Sequence, residues 1–490
     1  FMQGHNTQSN NNTTITNSLE YLKVDGVNNS TKSISNYLSA DYNFDNKYFL
    51  AGALSVDGSS RFGKETQSGF SLFGRSWGVF PSISAGWNIS SERFLKNAKF
   101  IDFLKFRTSY GLTGNDGIKD YASMAYFSIV QFMDRASGLV LSNLENSKIQ
   151  WETTAKASAG MDFNLFNSRV TGNFDVYSSK TSNLLMLKDL PEVTGLGKYW
   201  ENGGELTNKG FEASLNFKVL NLNALKWELG FSVGHYKNKI TSLPFGDYTT
   251  SVYGGEVLTS VGNPAGVFYG YKTKGVFATT ADAAASELKI LNTNGSYTNF
   301  SAGDVIFDDA KKDGVIDSKD KQVIGNPNPD YYGTIFTKIA IKKFTVSALF
   351  SYSYGNDVYN YQRSILESGA DYSNQTAAML NRWTAEGQTT SQPKAYYGDP
   401  MGNARFSDRW IEDGSYIRLK TLSVAYNVPI KNNFINGFTV WASANNLVTW
   451  TKYLGLDPEF SARNSVYYQG VDAGLVPPTK SFFLGVNFNL

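Results

Sequence analysis

The chain has 490 residues, with 45 Lys and Arg against 43 Asp and Glu, two His and no cysteine. That near balance leaves no basic surplus for nucleic-acid binding, and the missing thiols exclude disulfides, Cys-ligated zinc and thiol catalysis. Aromatic residues reach 15%, and 45 Gly stand against 12 Pro, a mix suited to many strands joined by turns and loops.

The amino terminus, "FMQGHNTQSNNNTTITNS", has neither the charged start nor the apolar core of a signal peptide and reads as a polar loop. From Ile34 onward, segments of about ten alternating residues recur, the length a tilted membrane strand requires. "SISNYLSADYNF" sets Leu38, Ala40, Tyr42 and Phe44 against Ser35, Ser39, Asp41 and Asn43. "FPSISAGWNI", "FLKFRTSYGL", "KASAGMDFNLF", "GFEASLNFKV" and "FTVSALFSYSY" repeat the pattern. The last twelve residues, "TKSFFLGVNFNL", put Phe482, Leu484, Val486, Phe488 and Leu490 on one face. Phe483, Gly485, Asn487 and Asn489 take the other. In a barrel the apolar set meets lipid and the other set a wet lumen. The negative mean hydropathy fits that reading, because only alternate residues touch lipid.

The connections alternate in length. "DNK", "FNS", "IKK" and "IKNNFING" are short, whereas 58–76, 178–210 and 355–414 are long. Short turns on one side and long loops on the other are the habit of outer-membrane barrels. The pattern predicts an all-β fold, a transmembrane antiparallel β-barrel of which about 13 strands are present. Residues 1–33 are expected to be an extracellular loop and 34–490 barrel, with the carboxyl terminus periplasmic. Within the long loops, "ADAAASELKIL" and "NQTAAMLNRWTAEG" have helical spacing, the second with Asn374 as its expected cap.

Several stretches carry a family resemblance. "DGSSRFG", "WGVFPSISAGWNIS", "LKFRTSYGLTGND", "GNPNPDYYG", "SYSYGNDVYN", "GSYIRLKTLSVAYNVP" and "ASANNLVTWTKYLGLDPE" resemble the carboxyl-terminal half of SusC/RagA-type TonB-dependent transporters. Members are barrels of about twenty-two strands with a plugged lumen, so roughly nine strands, the plug and the TonB-contacting segment are expected amino-terminal to this region. The resemblance implies import of an oligosaccharide or peptide beneath a SusD-like lipoprotein lid, driven through the TonB complex. It implies outer-membrane lipid as surroundings and no chemistry on the cargo. The alternatives are a passive porin-like or adhesin-type barrel, and a soluble glycan-degrading enzyme.

Other motifs carry weaker chemistry. In "DAKKDGVIDSKD", Asp309, Asp313, Asp317 and Asp320 fall at the first, fifth, ninth and twelfth places of a calcium-loop frame, with Gly314 at its turn. Lys311 occupies the third place, where a ligand normally stands, so a solvated acidic turn competes with a Ca2+ site. Tyr199 and Trp200 are expected to pack rather than stack on a sugar. Trp87, Trp227 and Trp450 are expected in interfacial belts. Asp41, Asp162 and Glu212 are read as lumen-facing rather than as a glycosidase pair, and with so few His no catalytic triad is credible. No enzyme is expected.

Overall fold

In a computed structural model the chain is described at residues 2–4, 22–24, 29–66, 69–72, 75–132, 136–190, 193, 195–196, 198–429 and 437–489. Most of the expected amino-terminal loop, most of the "IKNNFING" turn, and Leu490 lie outside these residues.

Thirteen long strands form one path of neighbours. They are β1 (Ser33–Phe44), β2 (Tyr48–Ser59), β3 (Arg75–Asn88), β4 (Ile101–Asn115), β5 (Glu152–Leu165) and β6 (Val170–Ser182). They continue as β7 (Glu205–Asn221), β8 (Leu225–Ser242), β9 (Tyr331–Ile341), β10 (Phe344–Tyr354), β11 (Tyr416–Val428), β12 (Gly437–Thr451) and β13 (Ser481–Asn489). Each pairs antiparallel with its sequence neighbour, and among the described residues the outer edges of β1 and β13 have no partner.

The short turns lie at one end of this meander, and their backbone explains their brevity. Asp45 and Asn46 take φ of 54° and 53° in the β1–β2 turn, and Lys342 takes φ 53° between β9 and β10. Left-handed residues of this kind match the twist of the strands they join, and Asn and Asp enter that region most easily. The other end carries connections 60–74, 116–151, 183–204, 243–330, 355–415 and 452–480.

Register carries the apolar alternation across the whole sheet. Leu38 faces Leu54, Tyr48 faces Trp87, Phe106 faces Met161, and Leu215 lies between Gly172 and Phe231. At the far edge Val440 faces Val486 and Phe438 faces Phe488. These side chains share one face, and Leu484 there is 80% exposed. A surface of this extent is untenable in water and natural against hydrocarbon. Trp87, Trp227 and Trp450 stand on the same face, two towards the short-turn end and one at the loop end.

The buried apolar clusters lie in the long connections and the strand ends beneath them. Helix is scarcer there than the sequence suggests. Thr280–Ser286 is helical, capped by the Thr279 side chain, but Glu287 turns left-handed and Lys289–Leu291 becomes a strand. Burial of Leu288 in an apolar cluster accompanies that turn. In the second segment a 3-10 turn spans only Ala377–Asn381, with Thr376 rather than Asn374 at its cap position.

Candidate functional site

Two surfaces are shaped for function: the polar face of the sheet and the crown of long connections at its loop end.

On the polar face, Arg107 of β4 donates to Asp162 of β5 at 3.0 Å and to Asp175 of β6 at 2.6 Å. The register places Gly160 directly beside Arg107 and opposite Asp175. A Cβ at Gly160 would lie 2.1 Å from the Asp175 carboxylate, so only glycine lets the ion pair lie flat against the wall. Tyr177 lies across Gly210 in the same way. Asp41, Lys105, Arg107, Ser109 and Ser158 line one hollow of this face. The Lys105 ammonium sits 4.2 Å from the centre of the Phe49 ring. Asp41, Asp162 and Glu212 therefore belong to one wall, with Asp162 held by an arginine. Alternation in the sequence puts Arg107 on the polar side of its strand but does not give its partners, because a strand's charge reveals its partner only once register is known. Phe336 and Leu349 oppose each other on this face as well, so the polar set is not uniform.

The crown is built by reaching between connections. Tyr248–Val252 and Gly255–Thr259 form a hairpin whose turn, Tyr253 and Gly254, is left-handed at both residues. Its Val252 and Val257 are buried with Phe268, Tyr359, Trp410 and Val471, drawn from three connections. Asp357–Asn360 pairs antiparallel with Ile411–Asp413 and parallel with Val471–Asp472. Arg363 bridges Glu367 and Glu412, and Glu412 accepts the Leu454 amide at 2.8 Å. Tyr453 donates to the buried Asp472 at 2.7 Å, and burial raises its pKa further.

The motifs that carry the resemblance are the knots of this crown. In "DGSSRFG", Arg61 pairs with Asp116 and Asp120 of the segment after β4, while Phe62 packs on Trp151 at 4.7 Å. In "GNPNPDYYG", Asn328 accepts from Tyr236 and Asn238 and donates to the Ala265 carbonyl. Arg418 of "GSYIRLK" is 1% exposed, and reaches Asp457 at 2.6 Å and Glu459 at 2.9 Å in "YLGLDPE". A bulge at Lys420 shifts the register beside it. Sequence reasoning quoted these motifs without identifying Arg418 as the link between them.

Trp200 packs against the Phe62–Trp151 cluster, as expected of a structural aromatic. Burial raises the Tyr199 pKa. Arg405 lies between the Tyr271 and Phe307 rings, and burial lowers its pKa.

The acidic turn folds on its own amides. Asp309 accepts from Lys312, Asp313 and Gly314, Asp313 from Val315, and Asp317 from Lys319. Asp320 is fully buried and accepts from Lys311 and Asp317. The Lys311 ammonium lies 4.0 Å from Asp313. Among the described residues no three His, Cys, Asp or Glu side chains are grouped so as to hold a metal ion.

A family model for the TonB-dependent receptor-like β-barrel matches residues 2–447. TonB-dependent receptor P3 of Formosa agariphila is 31% identical over 96% of this chain and 48% of its own length. TonB-dependent receptor SusC of Bacteroides thetaiotaomicron is 28% identical over 93% of this chain and 43% of its own. Among solved structures, the RagAB peptide transporter superposes with a TM-score of 0.79 at 23% identity, over 96% of this chain and 49% of that one. The chain thus spans about half the length of the curated relatives it matches. Thirteen strands in meander order, one apolar face, one polar wall and the matching family model lead to one conclusion: the chain belongs to the TonB-dependent receptor-like β-barrel family.

Proposed function

We propose that this chain is the carboxyl-terminal wall of an outer-membrane transporter that imports a large nutrient, an oligosaccharide or peptide, by TonB-dependent active transport. In this reading the long connections are extracellular, a SusD-like lipoprotein closes over the crown, and the carboxyl terminus is periplasmic. The apolar face meets lipid and the Arg107–Asp162–Asp175 wall meets the lumen. The edges of β1 and β13 pair with strands outside this sequence, because unpaired backbone in hydrocarbon costs several kcal/mol per group. The TonB complex acts through parts of the receptor beyond this sequence. The curated relatives are receptors rather than enzymes, which supports transport without chemistry.

The observation that carries this reading is the parity of the connections: the six longest all stand at the loop end, and the two largest of them interlock there with 452–480. Sidedness is its direct test. This chain carries no cysteine of its own, so a reporter introduced here is its only thiol, and the parent receptor labelled in parallel gives the background. In the full receptor, Thr293→Cys in the crown should react with a membrane-impermeant maleimide in intact cells. Asn223→Cys, in the β7–β8 turn, should react only after the outer membrane is permeabilised. The reverse pattern would sink the orientation and the lid with it.

A further inference from the structure

We propose that Tyr372 and Tyr397 form an aromatic platform on the crown that binds the sugar rings of a glycan. The inference rests on the crown facing the outside, and it selects glycan over peptide as the material this surface meets.

The two rings stack with centroids 5.0 Å apart and planes 26° from parallel. Tyr372 is 90% exposed and Tyr397 68%, with Tyr396 beside them also exposed. Of the other large aromatics of the same connection, Tyr359 and Trp410 are buried, and Tyr361, Trp383 and Phe406 are half-buried. Backbone hydrogen bonds join the two segments that carry the rings. The Tyr396 amide donates to the Gly369 carbonyl at 3.0 Å, and the Gly398 amide to the Ala370 carbonyl at 2.8 Å. Gly369 has φ +62°, and a Cβ there would stand 3.2 Å from Ala395, so the two segments approach closely at this point. Tyr372 stacks on Tyr397 and remains almost wholly open to solvent.

The surroundings identify the ligand's chemistry. Around the rings, Asp371, Ser373, Asn374 and Gln375 are all exposed. Segments 369–375 and 395–400 contain no Leu, Ile, Val, Met or Phe, and the exposed Leu380 lies outside them. A protein-docking centre is an apolar patch with a polar rim, and charged groups are depleted from its core. Here single aromatic faces stand among carboxylate, hydroxyl and amide groups. A pyranose complements that arrangement, because its C–H face covers the ring while its hydroxyls bond to the polar neighbours.

The test uses the full receptor purified with its lipoprotein, in native affinity gels containing starch, laminarin, xylan or polygalacturonate. At least one polymer should retard the complex. Tyr372→Ala should weaken that retardation about tenfold or more, the scale of losing one stacked ring. Tyr397→Ala should weaken it less, and Tyr372→Phe should stay within about threefold of the parent because it keeps the face. Retardation by none of the four polymers, or unchanged binding by Tyr372→Ala, overturns the proposal. Release of the lipoprotein by the Tyr372→Ala, Tyr397→Ala pair also overturns it, by making the surface a protein-docking site. Maleimide labelling at Thr293→Cys separates the two levels: loss of glycan binding with normal labelling removes the platform alone, whereas failed external labelling removes the transport reading.

Discussion

Replacing Arg418 by Ala should unlatch the 452–480 connection from the strand wall. Both Asp457 carboxylate oxygens accept from one Arg418 amine at 2.6 Å, and Asp457 is itself buried. Removing the cation leaves a buried carboxylate without its counter-charge, a loss of about 3–5 kcal/mol. The second arm is weaker, because Glu459 is 41% exposed and a solvent-screened pair contributes about 0–1 kcal/mol. Each 1.4 kcal/mol is about tenfold in a population, so the open form of this connection should rise at least about a hundredfold in Arg418→Ala. Glu459→Gln should raise it less than about fivefold. Hydrogen exchange of the 452–480 amides in the purified receptor reads both, since local opening sets their protection. Arg418→Met combined with Asp457→Leu should recover much of the protection, because an apolar pair can replace a buried ion pair. Equal protection in Arg418→Ala and Glu459→Gln would refute the clamp.

Further outcomes follow from the same reasoning. Val486→Arg puts a cation on the lipid face opposite Val440, and should cost about 2–4 kcal/mol of folding stability in bilayers if it lies near the midplane; Asn487→Arg, on the polar face, should cost far less. Burial raises the Asp399 pKa above its unfolded value, so this group's contribution to crown stability is fully present at low pH and lost as pH rises through the folded value. Amides 399–405 should therefore be better protected near pH 4 than near pH 7 after correction for intrinsic exchange, and Asp399→Asn should flatten the difference. Calcium should leave the exchange of amides 309–320 unchanged, since backbone amides already bond these carboxylates; saturable protection lost in Asp309→Asn would instead assign the cation.

The wall of this fold is legible in the sequence, and its crown is not. Alternation fixes a residue's face whatever its partner is, because side chains point to opposite sides at every step. Thus Leu484, Val486 and Phe488 could be placed against Asn487 before any pairing was known, and the register agrees. Turn parity was readable for a similar reason, since a two-residue connection such as 342–343 leaves the chain no room for anything else. The Arg107–Asp162–Asp175 wall depends on which strands adjoin and at what offset, and neither property is local. Crown contacts such as Tyr359 on Tyr253, 106 residues apart, lie still further beyond periodicity. The short helices failed for the same reason: the buried Leu288 and Met379 follow tertiary packing rather than helical propensity.

Active import, as proposed, differs from passive passage in the uptake of the labelled material recovered from the native receptor, compared in cells with and without TonB. Active import requires accumulation above the external concentration in TonB-containing cells, and none in cells lacking TonB. Equilibration to the external concentration, unchanged by loss of TonB, would contradict it and make this barrel a passive channel.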